Sequence, residues 1–481
     1  MALWIFFWIW WTFLIGAADV SSTVGLAKIP ALGLFAVLTV GAIWLRTAYP
    51  FALLWITAVA LSAEFSIAAA IFFVLASLIL GVLWHRTAAH GTVLGYRWAY
   101  PFIPVHLSLS DRFLHMHVIG PTGSGKSSSV LFPLIRQDLK AHRGLTLIEP
   151  KGDLSAAVYR QARLEGATII FFDPQSADCP HYNPLDGPAD AAAEGLSWSL
   201  NQLSEAGHPF YATAGRILLL YSVFAVKEAW GSQADLSRLL DFLRTDTQRD
   251  HVLSRITSAE TLRYFHDQIQ RLGPKSAQEQ RQGLLNRLEL LQANPAVRRV
   301  LSGPGDFTWD DVLRQGYVVI SPLSPAYLGE SARSLGVLLW HGLMMATYRR
   351  PLPSTADQPP LAPYFLFLDE FHQYVTPDLS DFLALARGYS VGLTLAHQDM
   401  GQLSPALSHA LLANARQRLL LSGLSIDDSA LLDRLSAPSI LSPRLRYGPR
   451  GIAAAQLTRH GQIRPPFFLR LAYYALDKKV H

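Results

Sequence analysis

The sequence predicts an α/β fold with a parallel-rich central sheet, an inserted all-α domain and an N-terminal α-helical membrane region. Three observations predict it. Charge is nearly absent from Met1 to Trp84. From about residue 86, short β-rich runs alternate with helical stretches. That alternation stops between residues 187 and 303, where helical spacing alone is found. The 481 residues therefore divide into a membrane region, 1–85, an α/β domain in two parts, 86–186 and 304–481, and a helical insertion, 187–303.

Half of the residues are hydrophobic, and the mean hydropathy is positive. A soluble domain of this length rarely has such an average, so part of the chain is expected in lipid. The apolar runs fall at roughly 2–18, 29–45, 48–63 and 65–84, interrupted at Asp19, Lys28, Arg46 and Glu64. A helix needs about 20 apolar residues to cross the hydrocarbon layer, with a lower limit near 17. The third run is short and begins near Pro50, so three or four spans remain open. The first run has no basic leader and carries Trp4, Trp8, Trp10 and Trp11, which suit interfacial anchors better than a signal peptide. Four spans with a cytoplasmic N-terminus place Arg46 and Arg86 inside and Asp19, Lys28 and Glu64 outside. Three spans place the N-terminus outside. In either arrangement Arg86 and Arg97 hold the following domain in the cytoplasm.

Strands are expected at His115–Gly120, Leu145–Glu149, Thr168–Asp173, Tyr317–Ser321, Tyr364–Asp369, Gly392–His397 and Arg418–Ser422. Their continuous apolar character, with helices between them, predicts a parallel sheet buried on both faces. Ala191–Leu203, Ala212–Ala229 and Leu284–Leu291 have helical spacing. The proline-rich stretch Arg350–Pro363 reads as a loop. One cysteine, Cys179, excludes an intrachain disulfide framework and a four-cysteine zinc site. A net charge of +5, from Lys+Arg 41 against Asp+Glu 36, is too small to indicate nucleic acid by itself.

The sharpest chemical signal is Gly120, Pro121, Thr122, Gly123, Ser124, Gly125, Lys126, Ser127. It fits the phosphate-loop pattern and lies between a predicted strand and the helical stretch Ser128–Leu139, the context that the pattern requires. Gly123 and Gly125 let the backbone turn its N–H groups onto phosphate, and the helix N-terminus adds positive partial charge. Lys126 is expected to reach the outer phosphates of ATP, and Ser127 to bind Mg2+. The second signal is Phe365-Leu-Phe-Leu-Asp369-Glu370, a buried strand that delivers two carboxylates at its C-terminal end, where ligands of open parallel sheets bind. Asp369 suits the outer coordination of Mg2+, and Glu370 the group that orients and deprotonates the attacking water. Gln398, at the tip of Gly392–His397, suits a sensor of the terminal phosphate. Arg387, just ahead of that strand on Asp381–Arg387, is either an arginine finger for a neighbouring subunit or an exposed helix residue.

Together these residues resemble the TraG/TraD family of type IV secretion coupling proteins. Leu147-Ile-Glu-Pro-Lys-Gly-Asp153, Phe171-Phe-Asp-Pro174, Asn183-Pro-Leu185, Leu368-Asp-Glu-Phe371 and Ala386-Arg-Gly-Tyr389 match that family's segments in order. The resemblance covers most of residues 110–430. It implies a RecA-like ATPase domain assembled as a homohexamer in the bacterial inner membrane, multi-pass, with its motor in the cytoplasm. It also implies partners: DNA bound without regard to sequence, single- or double-stranded, a relaxase within a relaxosome, and the inner-membrane channel proteins of the secretion system. Lys126, Ser127, Asp369, Glu370 and Gln398 take the roles given above, and Arg387 becomes the arginine-finger candidate. The sequence departs from the family in three ways. Glu149 replaces the usual aspartate, there are three or four spans instead of two, and the chain closes at Lys478-Lys479-Val480-His481 without a long acidic tail.

Contacts with DNA are expected from Arg444, Arg446 and Arg450 with Tyr447, a Pro/Gly-bounded basic loop with one aromatic, or from the arginine-rich stretch Arg255–Arg299. Four other functions share part of this pattern. A coupling ATPase for protein effectors would have the same core. An FtsK-like translocase lacks the helical insertion and ends in a winged helix. An ABC transporter needs Leu-Ser-Gly-Gly-Gln, and here Leu301-Ser-Gly303 runs into Pro304. A docking platform with a dead site is at odds with Lys126, Ser127, Asp369 and Glu370 all being present.

Overall fold

A computed structural model describes residues 91–98, 104–201, 209–352, 360–374, 379–425, 428, 445–459 and 461–476. The four apolar runs of the N-terminus, Arg444 and the last residues lie outside them. Among the described residues no helix is long and apolar enough to cross a membrane. The chain forms two units, Met1–Gly91 with Ala99–His106 and Thr92–Trp98 with Leu107–His481. Apart from the strand Pro104–Leu107, most of which belongs to the first, everything that follows lies in the second.

The strands in chain order are Thr92–Arg97 (β1), Pro104–Leu107 (β2), Met116–Ile119 (β3), Gly144–Glu149 (β4), Ile169–Phe171 (β5), Val318–Pro322 (β6), Tyr364–Asp369 (β7), Val391–His397 (β8), Gln417–Leu421 (β9), Ile452–Gln456 (β10), Thr458–Arg459 (β11), Gln462–Ile463 (β12) and Phe467–Arg470 (β13). The large unit has one main sheet in the order β1-β13-β10-β9-β3-β8-β7-β4-β6-β5. From β9 to β5 every pairing is parallel. The residues of β3, β4, β6, β7, β8 and β9 are buried throughout, which is why these strands read as unbroken apolar runs.

The other end of the sheet is antiparallel: β9 pairs with β10, β10 with β13, and β13 with β1. The sequence reading ended the sheet at β9. The strand it missed first, β10, is Ile-Ala-Ala-Ala-Gln, and alanine is the strongest helix former. Ala453, Ala454 and Ala455 are fully buried, so strand pairing and packing override local preference here.

Between β5 and β6 the described residues form no strand, and from Ala189 on they are mainly helical. The helices are Ala189–Asn201, Pro209–Trp230, Leu236–Arg244, Asp246–Leu253, Ala259–Leu291, Pro295–Val300 and Trp309–Gln315. Their starts are written in the sequence. Asp235, Thr245, Ser258 and Thr308 each cap a helix by accepting a backbone N–H three residues on. The long helix Ala259–Leu291 breaks at Gly273, at φ 73°, just before Pro274. This helical segment shares one buried core with the sheet. A continuous apolar cluster runs from Leu366 and Leu368 on β7, through Leu335 and Trp340 of the helix Ser331–Tyr348, to Leu218, Leu239, Phe242 and Leu288.

Strand register sets the site. Ile119 of β3 lies opposite both His397 of β8 and Leu420 of β9, and Asp369 of β7 lies opposite Ala396. The C-terminal tips of β3, β7 and β8 are therefore level, and the residues that follow them, Gly120, Glu370 and Gln398, emerge at one edge.

Candidate nucleotide site

After β3 the chain makes a tight turn in which the Ser124 N–H donates to the Pro121 carbonyl at 3.1 Å. Gly123 and Gly125 have φ of 81° and 100°, a region where any Cβ is strained. The first turn of the helix that follows is wide: Lys126–Leu131 is π-helical and leads into Phe132–Lys140. The result is a glycine-bent loop ending at a helix N-terminus, with the Ser124 and Ser129 hydroxyls buried and without hydrogen-bond partners. A loop of this shape fits a polyphosphate.

Lys126 is buried. Its Nζ donates to the Gly120 carbonyl at 2.6 Å and lies 3.7 Å from Glu370 Oε1. Burial pulls its pKa below the usual lysine range, while the charges of Glu370 and Asp369 oppose that shift. The Ser127 hydroxyl donates to Asp369 Oδ2 at 2.8 Å. Burial raises the pKa of Asp369, and the bond from Ser127 works against it. Among the described residues no group of His, Cys, Asp and Glu side chains is arranged as a metal cage. The Ser127–Asp369 pair, one hydroxyl and one carboxylate, is the donor set with which Mg2+ is held beside substrate phosphates while keeping part of its water shell.

Glu370 sits just beyond β7 with φ 51°, a left-handed conformation that costs a non-glycine residue energy. The strained turn places its side chain in the cleft, buried, with Oε2 lacking any hydrogen-bond partner. Gln398 completes the arrangement. Its Nε2 donates to Glu370 Oε1 at 3.2 Å, and its Oε1 accepts from the Thr122 hydroxyl at 3.0 Å. One amide thus connects the phosphate loop to the carboxylate. Its backbone is held in turn by Gln402, whose Oε1 accepts the Gln398 N–H at 3.0 Å.

Arg387 is not part of this cluster. It is exposed on the short turn Ala386–Tyr389, ahead of the N-terminus of β8. Its charge is felt by His115, at the N-terminal side of β3. The length of β8, at about 3.3 Å per residue, separates it from Gln398.

Glu149 is also occupied elsewhere. Its carboxylate accepts the N–H groups of Lys151 at 2.9 Å and Ser155 at 3.0 Å, which ties the end of β4 to the start of the helix Asp153–Leu164. The longer side chain in place of aspartate thus serves as a helix cap. Lys151 is exposed, and its charge reaches both Lys126 and Asp369. Arg450 also departs from expectation. It does not project with Arg446 and Tyr447: its Nε donates to the Gly123 carbonyl at 2.7 Å. Beneath the cleft a histidine pair escaped sequence reading altogether. His117 and His397 stack at 4.9 Å with their Nε2 atoms 2.7 Å apart.

A family model described as type IV secretory system conjugative DNA transfer matches residues 106–410. Among curated proteins none matches the chain significantly. Of solved structures, the plasmid coupling protein TrwB in complex with a non-hydrolysable ATP analogue superposes with a TM-score of 0.58 and 17% identity, covering 82% of this chain and 91% of that one. TrwB in complex with ADP and Mg2+ gives 0.58 and 17%, covering 81% and 90%. VirB4 of Thermoanaerobacter pseudethanolicus gives 0.50 and 16%, covering 80% and 97%. At these identities the likeness is one of fold, the α/β arrangement around a mostly parallel sheet.

Proposed function

Because the chain belongs to the type IV secretory system conjugative DNA transfer family, we propose that it is a coupling ATPase that hydrolyses ATP to move DNA into a secretion channel. The observation that carries this reading is the meeting of Lys126, Ser127, Asp369, Glu370 and Gln398 at one sheet edge, with Ser127 2.8 Å from Asp369, Gln398 3.2 Å from Glu370 and Lys126 3.7 Å from Glu370. TrwB, of the same fold, has been captured with an ATP analogue and with ADP and Mg2+, which supports the same ligands here.

In this reading the backbone of Gly120–Ser127 holds the phosphates, and Lys126 neutralises the outermost ones. Ser127 and Asp369 would hold Mg2+, which would supply positive charge against the phosphates. Glu370, through Oε2, which accepts no hydrogen bond and lies 3.7 Å from His372 Nδ1, takes the proton of the attacking water. Gln398, bonded to Thr122 on one side and Glu370 on the other, reports whether the terminal phosphate is present. Arg387 serves the site of an adjacent subunit in a homohexameric ring, where an arginine stabilises charge developing in the transition state. The 1–85 region is the multi-pass inner-membrane anchor. The cargo is relaxase-bound single-stranded DNA, delivered to channel proteins of the secretion system, and Arg446 with Tyr447 offers a basic and aromatic contact for it.

The test is ATP hydrolysis by the full-length protein with and without single-stranded DNA at two salt concentrations, beside Lys126→Ala. Hydrolysis that rises with DNA, loses that rise in high salt and disappears in the variant is expected. Hydrolysis that is abolished by Lys126→Ala yet indifferent to DNA would replace DNA with protein effectors as cargo. Hydrolysis that survives Lys126→Ala would remove the site assignment.

A further inference from the structure

The phosphate loop is braced by a residue far from it in sequence. Arg450 stands at the turn that leads into β10, and its Nε donates to the Gly123 carbonyl at 2.7 Å. Its Nη2 lies 3.5 Å from the place where a Cβ on Gly123 would lie. The turn that carries it is built. Leu445, five residues earlier, is fully buried with Ile119, Leu420 and Ala454 under the phosphate loop, and its carbonyl accepts the Gly423 N–H at 3.0 Å. The Pro449 carbonyl accepts the Ser422 hydroxyl at 2.8 Å, and the Gly451 carbonyl accepts the Leu471 N–H at 2.7 Å. Residues on both sides of Arg450 are thus fixed to β9 and to the segment after β13, which limits where the guanidinium can go.

We propose that Arg450 is a positioning residue of the nucleotide site, one that locks the tip of the phosphate loop and adds positive charge at its rim for a nucleoside di- or triphosphate. This rests on the proposed function and deepens it. The physical need comes from the two glycines. At φ of 81° and 100° they give the loop its shape, and without side chains they do little to keep it. A peptide unit is planar, so pinning the Gly123 carbonyl also fixes the direction of the Ser124 N–H. That N–H closes the Pro121–Ser124 turn. A guanidinium has further N–H donors in a fixed fork, which leaves it able to serve phosphate oxygens as well. The antiparallel strands of the sheet thereby contribute to a site otherwise made by the parallel ones.

The test uses the full-length protein, with equilibrium titration of a fluorescent ADP and competition by a non-hydrolysable ATP analogue. Arg450→Ala is expected to weaken ADP binding about tenfold or more, and Arg450→Lys to recover part of the loss through its charge. Arg464→Ala, an exposed arginine between β12 and β13, should bind as the wild type does. Thermal unfolding identifies any variant that is merely destabilised; if Arg450→Ala is, Arg450→Lys carries the test, and an ADP affinity below wild type in a protein of unchanged melting temperature supports the proposal. ADP affinities within twofold of wild type for both Arg450 variants overturn it. So does a loss of single-stranded DNA binding by Arg450→Ala at unchanged ADP affinity, which would return Arg450 to a DNA-contacting role. Wild-type protein that fails to bind ADP, or binding that survives Lys126→Ala, instead takes down the proposed function, and this inference with it.

Discussion

Replacing Gln398 with alanine separates sensing from binding. The side chain makes two hydrogen bonds, to Thr122 at 3.0 Å and to Glu370 at 3.2 Å. A neutral hydrogen bond contributes about 1 kcal/mol net, and one to a charged partner about 1.5–3 kcal/mol. Losing both removes about 3 kcal/mol of organisation around Glu370. Neither bond reaches Lys126 or the glycine backbone that holds phosphate, so the nucleotide Kd should change by less than threefold. The loss should fall on the chemical step, where about 3 kcal/mol corresponds to a rate lower by about two orders of magnitude. Single-turnover hydrolysis of radiolabelled ATP, beside equilibrium binding of ADP, measures the two quantities apart. Gln398→Glu should be at least as slow, because it sets a second carboxylate against Glu370. A Gln398→Ala rate within threefold of wild type, or a Kd that worsens as much as the rate falls, would refute the assignment of Gln398 to the terminal phosphate.

Three other perturbations follow from the same geometry. Asp138 is fully buried and paired with Arg112 at 2.5 and 2.7 Å and with Arg143 at 3.1 Å. Asp138→Ala leaves a buried guanidinium unpaired and should cost about 3–5 kcal/mol, read as a fall in denaturant midpoint. Burial lowers the pKa of His115 and of His341 from 6.5 to about 4. The unfolded chain therefore binds more protons between these values, so stability is full above pH 6.5 and declines as pH falls toward 4. The decline is up to about 3 kcal/mol for each histidine, and His341→Leu should give a shallower melting-temperature slope over that window. Arg387→Ala should keep nucleotide affinity and lose hydrolysis, and mixing it with Lys126→Ala protein should restore activity that neither variant has alone. Full hydrolysis by Arg387→Ala, or no recovery on mixing, would end the arginine-finger reading.

What the sequence disclosed follows from how local each signal is. The phosphate loop and the Asp369–Glu370 pair are runs of adjacent residues, and their strands are buried on both faces, so composition alone marks them. Gln398 was visible because it terminates such a strand. The antiparallel strands lack that signature. β10 is written in alanine, and β13 follows Pro465-Pro466. β1 is interrupted by Gly95, where a Cβ would lie 2.7 Å from the Arg470 carbonyl oxygen. Arg450 was read as a DNA contact because its local setting, prolines and glycines with other arginines, is that of a surface loop. Its bond to Gly123 spans 327 positions, and no local pattern encodes it.

The histidine pair shows what such distant contacts accomplish. His117 and His397 are 280 positions apart, yet their rings stack 4.9 Å apart with 9° between the planes. Phe371, which follows Glu370, meets both rings edge-on, at 6.5 Å and 5.1 Å. Burial depresses both imidazole pKa values, that of His397 to about 3, so at neutral pH the rings are uncharged and one Nε2–H donates to the other Nε2. The Gly120 N–H also donates to the His397 carbonyl at 3.2 Å. Immediately below the cleft, then, β3, β8 and the turn after β7 are fastened by one bonded pair and one ring cluster. A buried, close-packed connection of this kind resists independent sliding of its parts. Were a terminal phosphate to displace Gln398, the tips of β3 and β8 and the turn that carries Glu370 would therefore respond together.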